Sequence, residues 1–457
     1  MPHQYDFNSR FETDGIFWST SDPAKTFAAH LTVDEKRIKL LPAAELVGPE
    51  KLFPQLNEEA VSGVIHGYTT VGQCTLVGLQ DIGSPSHLNG ITGQIIRARQ
   101  LRAGLCIVGF HLACSSAQVL SCATCGYAGL ENWLPANSKM AFTDEEVSIT
   151  YRRNPSPLVD LCVLASKLRI TLKAGSDVRY GLDGHHSASN QPRITFEPTI
   201  PTSLDFLFDV AYRFENFLSL LLGTSVRLQT VHVETGDGKD GWLVRHERSK
   251  AEQTDVQAWT KCDASQLGAA IAAWLTTPEE FRPVENLIYG TIRDSSMFVE
   301  TEFLSLAQAV EAFHRFTNHD ALVESSIFET ICKSLHKAIT TLCHNSHLAA
   351  RLSDAIRFAN EPSFKNRVES LMGRLHPDHV QSLLGDGAEF EQTLRQTRNF
   401  FTHPGSKKQR KVITDPKSVF LFNQKLHSFL RLLMLLNLGF PEDLVFEPAK
   451  YLAKKWT

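Results

Sequence analysis

Arg398 and His403 lie in the run EQTLRQTRNFFTHPGSKKQR, Glu391–Arg410. Their chemistries are complementary. A guanidinium is always charged and grips phosphate as a planar fork. An imidazole takes or gives a proton near neutral pH. Together they supply two parts that RNA cleavage needs. Lys407, Lys408, Arg410 and Lys411 follow at once, and such a basic loop would hold neighbouring phosphates.

The element that positions them reads as a helix over Glu389–Thr402. Phe390, Leu394, Thr397 and Phe401 fall on one apolar stripe. Arg398 follows Leu394 by one helical turn, so it borders the core and needs an anionic or hydrogen-bonding partner. In a straight helix His403 would point about 140° away from Arg398. However, Pro404 disfavours helical backbone at His403, and Gly405 follows. The helix should therefore stop at Thr402 or His403, and its end can turn the imidazole back toward the guanidinium side.

Other constellations are weaker. Cys122-Ala-Thr-Cys125, with Cys106 and Cys114 upstream, has four candidate zinc ligands. But the surrounding run is apolar and strand-like, which favours small core cysteines. Cys343-His344 with His347, and His185-His186 in GLDGHHSASN, are less specific still. TGDGKDG at Thr235–Gly241 lacks the G-x4-G-K-[ST] spacing of a phosphate loop and reads as a tight turn in a hairpin.

These pieces sit in a chain of 457 residues, enough for two to four domains. The apolar share of 42% and charged share of 21% exclude a wholly disordered chain. Nine cysteines are too sparse and too odd a count for a disulfide scaffold. The N-terminus shows no signal-peptide pattern, and no apolar run reaches transmembrane length. A cytoplasmic setting is expected, with no cofactor.

The first part alternates like strands. Pro201-Thr-Ser203 then leads into a helix ending at Gly223, with Ser203 as N-cap. From about Asp263 helices dominate: 266–275, 278–291, 297–316, 322–342, 347–358, 363–375, 389–402, 417–438 and 442–453. Strands followed by helices, without alternation, predict an α+β multidomain chain: a β-rich region over 1–290, with a possible sub-boundary near 150, and an all-α bundle over 291–457. The formal charge of −4 argues against a nucleic-acid binder taken whole. The split changes that. From Met297 onward basic residues outnumber acidic ones, and the acidic excess belongs to the first part.

Arg398-Asn399-Phe400-Phe401-Thr402-His403 resembles the R-N-x-x-x-H form of the motif in HEPN-domain ribonucleases. FLSLAQAVEAFHR, Phe303–Arg315, is similar to an early helix of ApeA-like HEPN domains. The β-rich region also resembles the ApeA N-terminal domain, through ENWL at Glu131–Leu134 and the helix led by Pro201-Thr-Ser-Leu204.

The resemblance implies metal-independent cleavage by 2′-hydroxyl attack, leaving 2′,3′-cyclic phosphate and 5′-hydroxyl ends. His403 would be the acid/base and Arg398 would stabilise phosphorane charge. Asn399 would orient the site, and Glu311 would anchor Arg398 or share proton transfer. It implies a homodimer or higher homo-oligomer through the helical domain, an abortive-infection role against phage, and host RNA, with tRNA the leading substrate. A phage-derived trigger would act through the N-terminal region. Where some HEPN toxins carry a Tyr four residues after the His, a target for silencing by AMPylation, this chain has Lys407, so that route is not expected. A different class of reading remains open: a non-catalytic module that dimerises through its helices and binds RNA or protein.

Overall fold

The protein is described by a computed structural model. It covers residues 5–7, 9–34, 37–42, 63–82, 86–88, 95–97, 100–130, 138–142, 147–151, 157–165, 167–173, 176–180, 186–190, 192–245, 263–293, 296–318, 321–403 and 411–454. The chain divides into two compact units, Met1–Thr276 and Thr277–Thr457.

The first unit is built on one antiparallel sheet of fourteen strands. In chain order they are β1 Phe11–Ser19, β2 Asp22–Val33, β3 Ile38–Pro42, β4 Ile65–Thr69, β5 Gly72–Val77, β6 Gln80–Asp81, β7 Leu101–Ala103, β8 Leu105–Val108, β9 Leu120–Tyr127, β10 Val159–Val163, β11 Leu168–Lys173, β12 Arg193–Pro198, β13 Leu228–Thr235 and β14 Asp240–Arg245. Their order across the sheet is β10-β11-β12-β9-β13-β14-β8-β5-β4-β1-β2-β3-β7-β6. Strands from before and after residue 150 alternate in it, so no division falls there.

The period-2 pattern explains the layering. In β1, Thr13, Phe17 and Ser19 face inward while Glu12, Asp14 and Ile16 face out. Gly109, with φ +134°, lets the chain leave β8 close to β14; a Cβ there would collide with the backbone at Asp240. The turn at Thr235–Gly241 joins β13 to β14, the hairpin expected from TGDGKDG.

Helix α1, Leu204–Leu222, packs on β9 and β13. Ser203 caps it by accepting from the Phe206 N–H, and Gly223 closes it in the left-handed region. Buried Glu215 on α1 accepts the Leu228 N–H at 2.7 Å, so the carboxylate serves the start of β13. Helix α2, Ala264–Leu275, packs on α1 and β10.

The second unit holds α3 Arg282–Arg293, α4 Val299–Thr317, α5 Ser325–Leu342, α6 Ser346–Arg357, α7 Phe364–Met372, α8 Pro377–Leu384, α9 Gly387–Thr402, α10 Pro416–Asn437 and α11 Glu442–Lys454. Because α3 packs on α4, the units part at Thr276 rather than near 290. Phe303, Leu306, Val310 and Phe313 of α4 are fully buried, as are Leu426, Phe429 and Leu433 of α10. Glu302 ties the two helices together, accepting from His427 Nε2 and Asn423 Nδ2, each at 2.9 Å. Helix α10 is long and apolar enough to cross a membrane by length and composition, but most of it is buried in the core of the helical unit. Helix α8 was not expected from the sequence, although Pro377 at its first turn and Gly385 beyond it, at φ +84°, are its start and stop signals.

Candidate functional site

The expected helix forms and stops where Pro404 requires. Asp386 caps α9 by accepting the Glu389 N–H, and the last helical residue is Thr402. His403 is the C-cap, with φ −133° and ψ 71°, and its N–H donates to Asn399 O at 2.9 Å. Phe390, Leu394 and Thr397 are buried, which fixes the roll of the helix. Thr397 also accepts the Ile413 N–H, at 3.2 Å, where the chain returns to α9.

That roll brings Arg398 to α4. Its Nη2 donates to Glu311 Oε2 at 2.9 Å, and its guanidinium lies over the Phe364 ring at 4.8 Å. The partner that a core-border arginine needs is therefore Glu311, with an aromatic face beneath. Arg398 remains 33% exposed, enough to meet a ligand.

Glu311 has a second tie. Its Oε1 accepts from Arg315 Nη2 at 3.2 Å, one turn along α4. Arg315 also pairs with Glu361 at 3.0 Å, and Glu361 pairs with Arg367 at 2.8 Å. Arg367 is buried, at 4% exposure; its Nε donates to Pro362 O at 3.0 Å and its Nη1 to His314 Nδ1 at 3.4 Å. Burial and then the nearby Arg315 draw the Arg367 pKa down, while Glu311 and Glu361 oppose that. Five charges thus alternate in sign along one chain of contacts: Arg367, Glu361, Arg315, Glu311, Arg398. Partly exposed pairs of this kind contribute about 0–1 kcal/mol each, so their chief effect is to fix the Arg398 side chain.

Two family models match the chain: Apea-like HEPN over residues 304–444 and ApeA N-terminal domain 1 over residues 12–250. The second alone spans more than half of the chain. The chain belongs to the ApeA-like HEPN proteins. No curated protein and no solved structure matches it. The HEPN match contains Glu311, Arg398 and His403, and the N-terminal match contains the fourteen-stranded sheet apart from the first residue of β1.

Within this ApeA-like HEPN domain the other expected residues are placed as follows. His403 is exposed at the end of α9, about 7.5 Å along the axis from Arg398. Its imidazole makes no hydrogen bond among the described residues. Asn399 is half-buried, and its carbonyl accepts the His403 N–H. His314 is buried beside Arg367. Lys411 pairs with the Glu389 carboxylate and its N–H donates to Gln396 Oε1 at 2.8 Å, so it is folded back onto α9. Lys407, Lys408 and Arg410 lie outside the described residues, as do ENWL and His185.

The four cysteines considered for zinc do not converge. Cys122 and Cys125 sit an odd number of residues apart on β9, so they face opposite sides of the sheet. Cys106 is buried on β8 beside Cys74, and Cys114 is exposed. Burial raises the Cys122 thiol to about 11 and Cys125 higher still, so both stay protonated and unreactive near neutral pH. Among the described residues no group of three or more His, Cys, Asp or Glu side chains is placed to hold a metal.

Sequence reasoning missed Arg315, Glu361, Phe364 and Arg367 as parts of the site. Arg315 was visible as the i,i+4 partner of Glu311. The other three come from α7 and the segment before it, and no local pattern marks them.

Proposed function

We propose that this protein is a metal-independent endoribonuclease of antiphage abortive infection. HEPN domains are associated as a family with ribonuclease activity, and the ApeA pairing of domains with antiphage defence. The observation that carries the reading for this chain is Arg398, held by Glu311 and Phe364 on the same helix whose exposed end is His403.

The reaction is an in-line transesterification. The 2′-oxygen of one nucleotide attacks the adjacent phosphorus, its proton passes to a base, and the P–O5′ bond breaks. The leaving 5′-oxygen takes a proton, so the products carry a 2′,3′-cyclic phosphate and a 5′-hydroxyl. His403 exchanges these protons, and Arg398 neutralises the charge that grows on the equatorial oxygens. Asn399 orients the phosphate. Glu311 holds Arg398. Lys407, Lys408 and Arg410 contact flanking phosphates, while Lys411 stays paired with Glu389.

The substrate is host RNA, with tRNA foremost, and the setting is cytoplasmic. Two copies bring two motifs to one cleft. The acidic N-terminal unit keeps RNA away until a phage-derived component engages it. The test is sequencing of RNA ends from infected cells carrying wild-type or His403→Ala protein. The reading expects new 2′,3′-cyclic phosphate ends with the wild type only. Equal ends in both strains would refute it.

A further inference from the structure

The proposed chemistry uses one guanidinium, that of Arg398. A second lies beside it. Glu311 Oε2 accepts from Arg398 Nη2 at 2.9 Å and Glu311 Oε1 accepts from Arg315 Nη2 at 3.2 Å, so each oxygen of one carboxylate holds an arginine. The other tie of Arg315, to Glu361 Oε2 at 3.0 Å, also runs through Nη2. A guanidinium carries five N–H donors. Among the described residues, Nε and Nη1 of both Arg315 and Arg398 have no hydrogen-bond or ion-pair partner.

Exposure separates the arginines of this cluster. The Arg367 side chain is 5% exposed, Arg398 33% and Arg315 56%. Arg315 is thus the most open to a ligand. The charges do not cancel either. Three guanidiniums share two carboxylates, Glu361 and Glu311, so the cluster keeps one positive charge. An isolated i,i+4 pair on a helix surface has no such surplus.

Position says which anion it suits. Phe401 meets Phe303, with ring centroids 5.8 Å apart, while Arg398 meets Glu311. Moving along α9 toward His403 is therefore moving along α4 toward its N-terminus. Arg315 lies one turn the other way, about 6 Å beyond Glu311 along the axis. His403 and Arg315 stand on opposite sides of Arg398. The scissile phosphate belongs between Arg398 and His403, so a phosphate on Arg315 is a neighbour in the same strand.

We propose that Arg315 grips a second backbone phosphate of the bound RNA and so fixes which linkage reaches Arg398 and His403. This rests on the ribonuclease reading and adds to it a binding residue outside the Arg398–His403 motif and the basic loop that follows. The contact is to phosphate, so it carries no base preference.

The experiment measures binding of single-stranded RNA across a salt series, with the full chain carrying His403→Ala so that the strand stays uncut. Adding Arg315→Gln should weaken binding and reduce the slope of log K against log[salt] by about 0.7, one contact on a single strand. Two RNAs of different sequence should respond alike. Arg315→Lys keeps the charge and should hold the slope. Arg315 is exposed, so both variants should keep the helical circular dichroism. With His403 intact, the loss from Arg315→Gln should fall on KM rather than kcat, the mark of a contact made equally in the ground and transition states. An unchanged slope, or no RNA binding by the parent protein, overturns the proposal. So does a loss confined to kcat, which would make Arg315 only a support for Glu311. RNA bound with the expected change of slope but never cut would uphold this contact and count against the ribonuclease reading alone. Normal cutting with an unchanged slope would strike this inference alone.

Discussion

The two units treat their reactive side chains in opposite ways. In the sheet unit, Cys125, Tyr127 and Glu215 are buried; Tyr127 and Glu215 end on backbone groups at Ala211 O and the Leu228 N–H. Tyr127 and Glu215 are thus spent on backbone partners, and burial pushes the Cys122 and Cys125 thiols toward inert protonated forms. In the helical unit, alternating charges link buried Arg367 through Glu361, Arg315 and Glu311 to the partly exposed guanidinium of Arg398, on the helix that ends at exposed His403. Polar side chains can therefore serve either stability or chemistry, and the partners their hydrogen bonds reach decide which.

The comparison breaks most sharply at His403. His403→Ala should lower RNA cleavage about 10²–10⁴-fold with an unchanged urea midpoint, and a normal rate would remove the chemistry from this end of the helix. Arg398→Ala should cost about 10²–10³-fold, measured as initial rate on tRNA. Arg398→Lys should recover little, because an ammonium cannot reproduce the fork held between Glu311 and Phe364.

Glu311→Gln probes the wiring rather than the reacting groups. Cleavage should fall by about tenfold, as expected when a misplaced charge weakens transition-state stabilisation, while stability changes by under about 1 kcal/mol. A large stability loss without an activity loss would make the charge chain structural.

The sheet unit should answer in the reverse sense. Gly109→Ala forces a side chain into left-handed backbone against Asp240, and should cost about 1–3 kcal/mol in urea unfolding while the folded protein keeps its cleavage rate. The smallest effect concerns the thiols. Exposed Cys114 and Cys162 should alkylate first at neutral pH, and Cys122 should gain reactivity only as pH approaches 11, where its thiolate forms. Rapid labelling of Cys125 at pH 7, read by mass spectrometry, would show that the sheet core opens.

Local signals were legible in the sequence. Ser203, Gly223 and the Pro404-Gly405 pair named a helix start and two helix ends correctly, because caps and breakers act within a few residues. The change from strands to helices was legible for the same reason. Helix α8 was missed because eight residues hold too little apolar periodicity, although His376-Pro377 marks its start. The boundary at Thr276 depends on which neighbour α2 and α3 pack against, a long-range fact. So does the site. Arg398 needed a partner on sequence grounds, and Glu311 could be named by resemblance, but Phe364, Glu361 and Arg367 reach the cluster only once α7 packs between α4 and α9.

The central claim is that this chain cuts RNA with Arg398 and His403 and without a metal. The direct measurement is incubation of purified protein, resting and phage-activated, with total tRNA in EDTA, followed by analysis of the fragment ends. The account predicts fragments with 2′,3′-cyclic phosphate and 5′-hydroxyl termini from the wild type, and intact tRNA with His403→Ala. Intact tRNA from both, or the same fragments from His403→Ala, would contradict it.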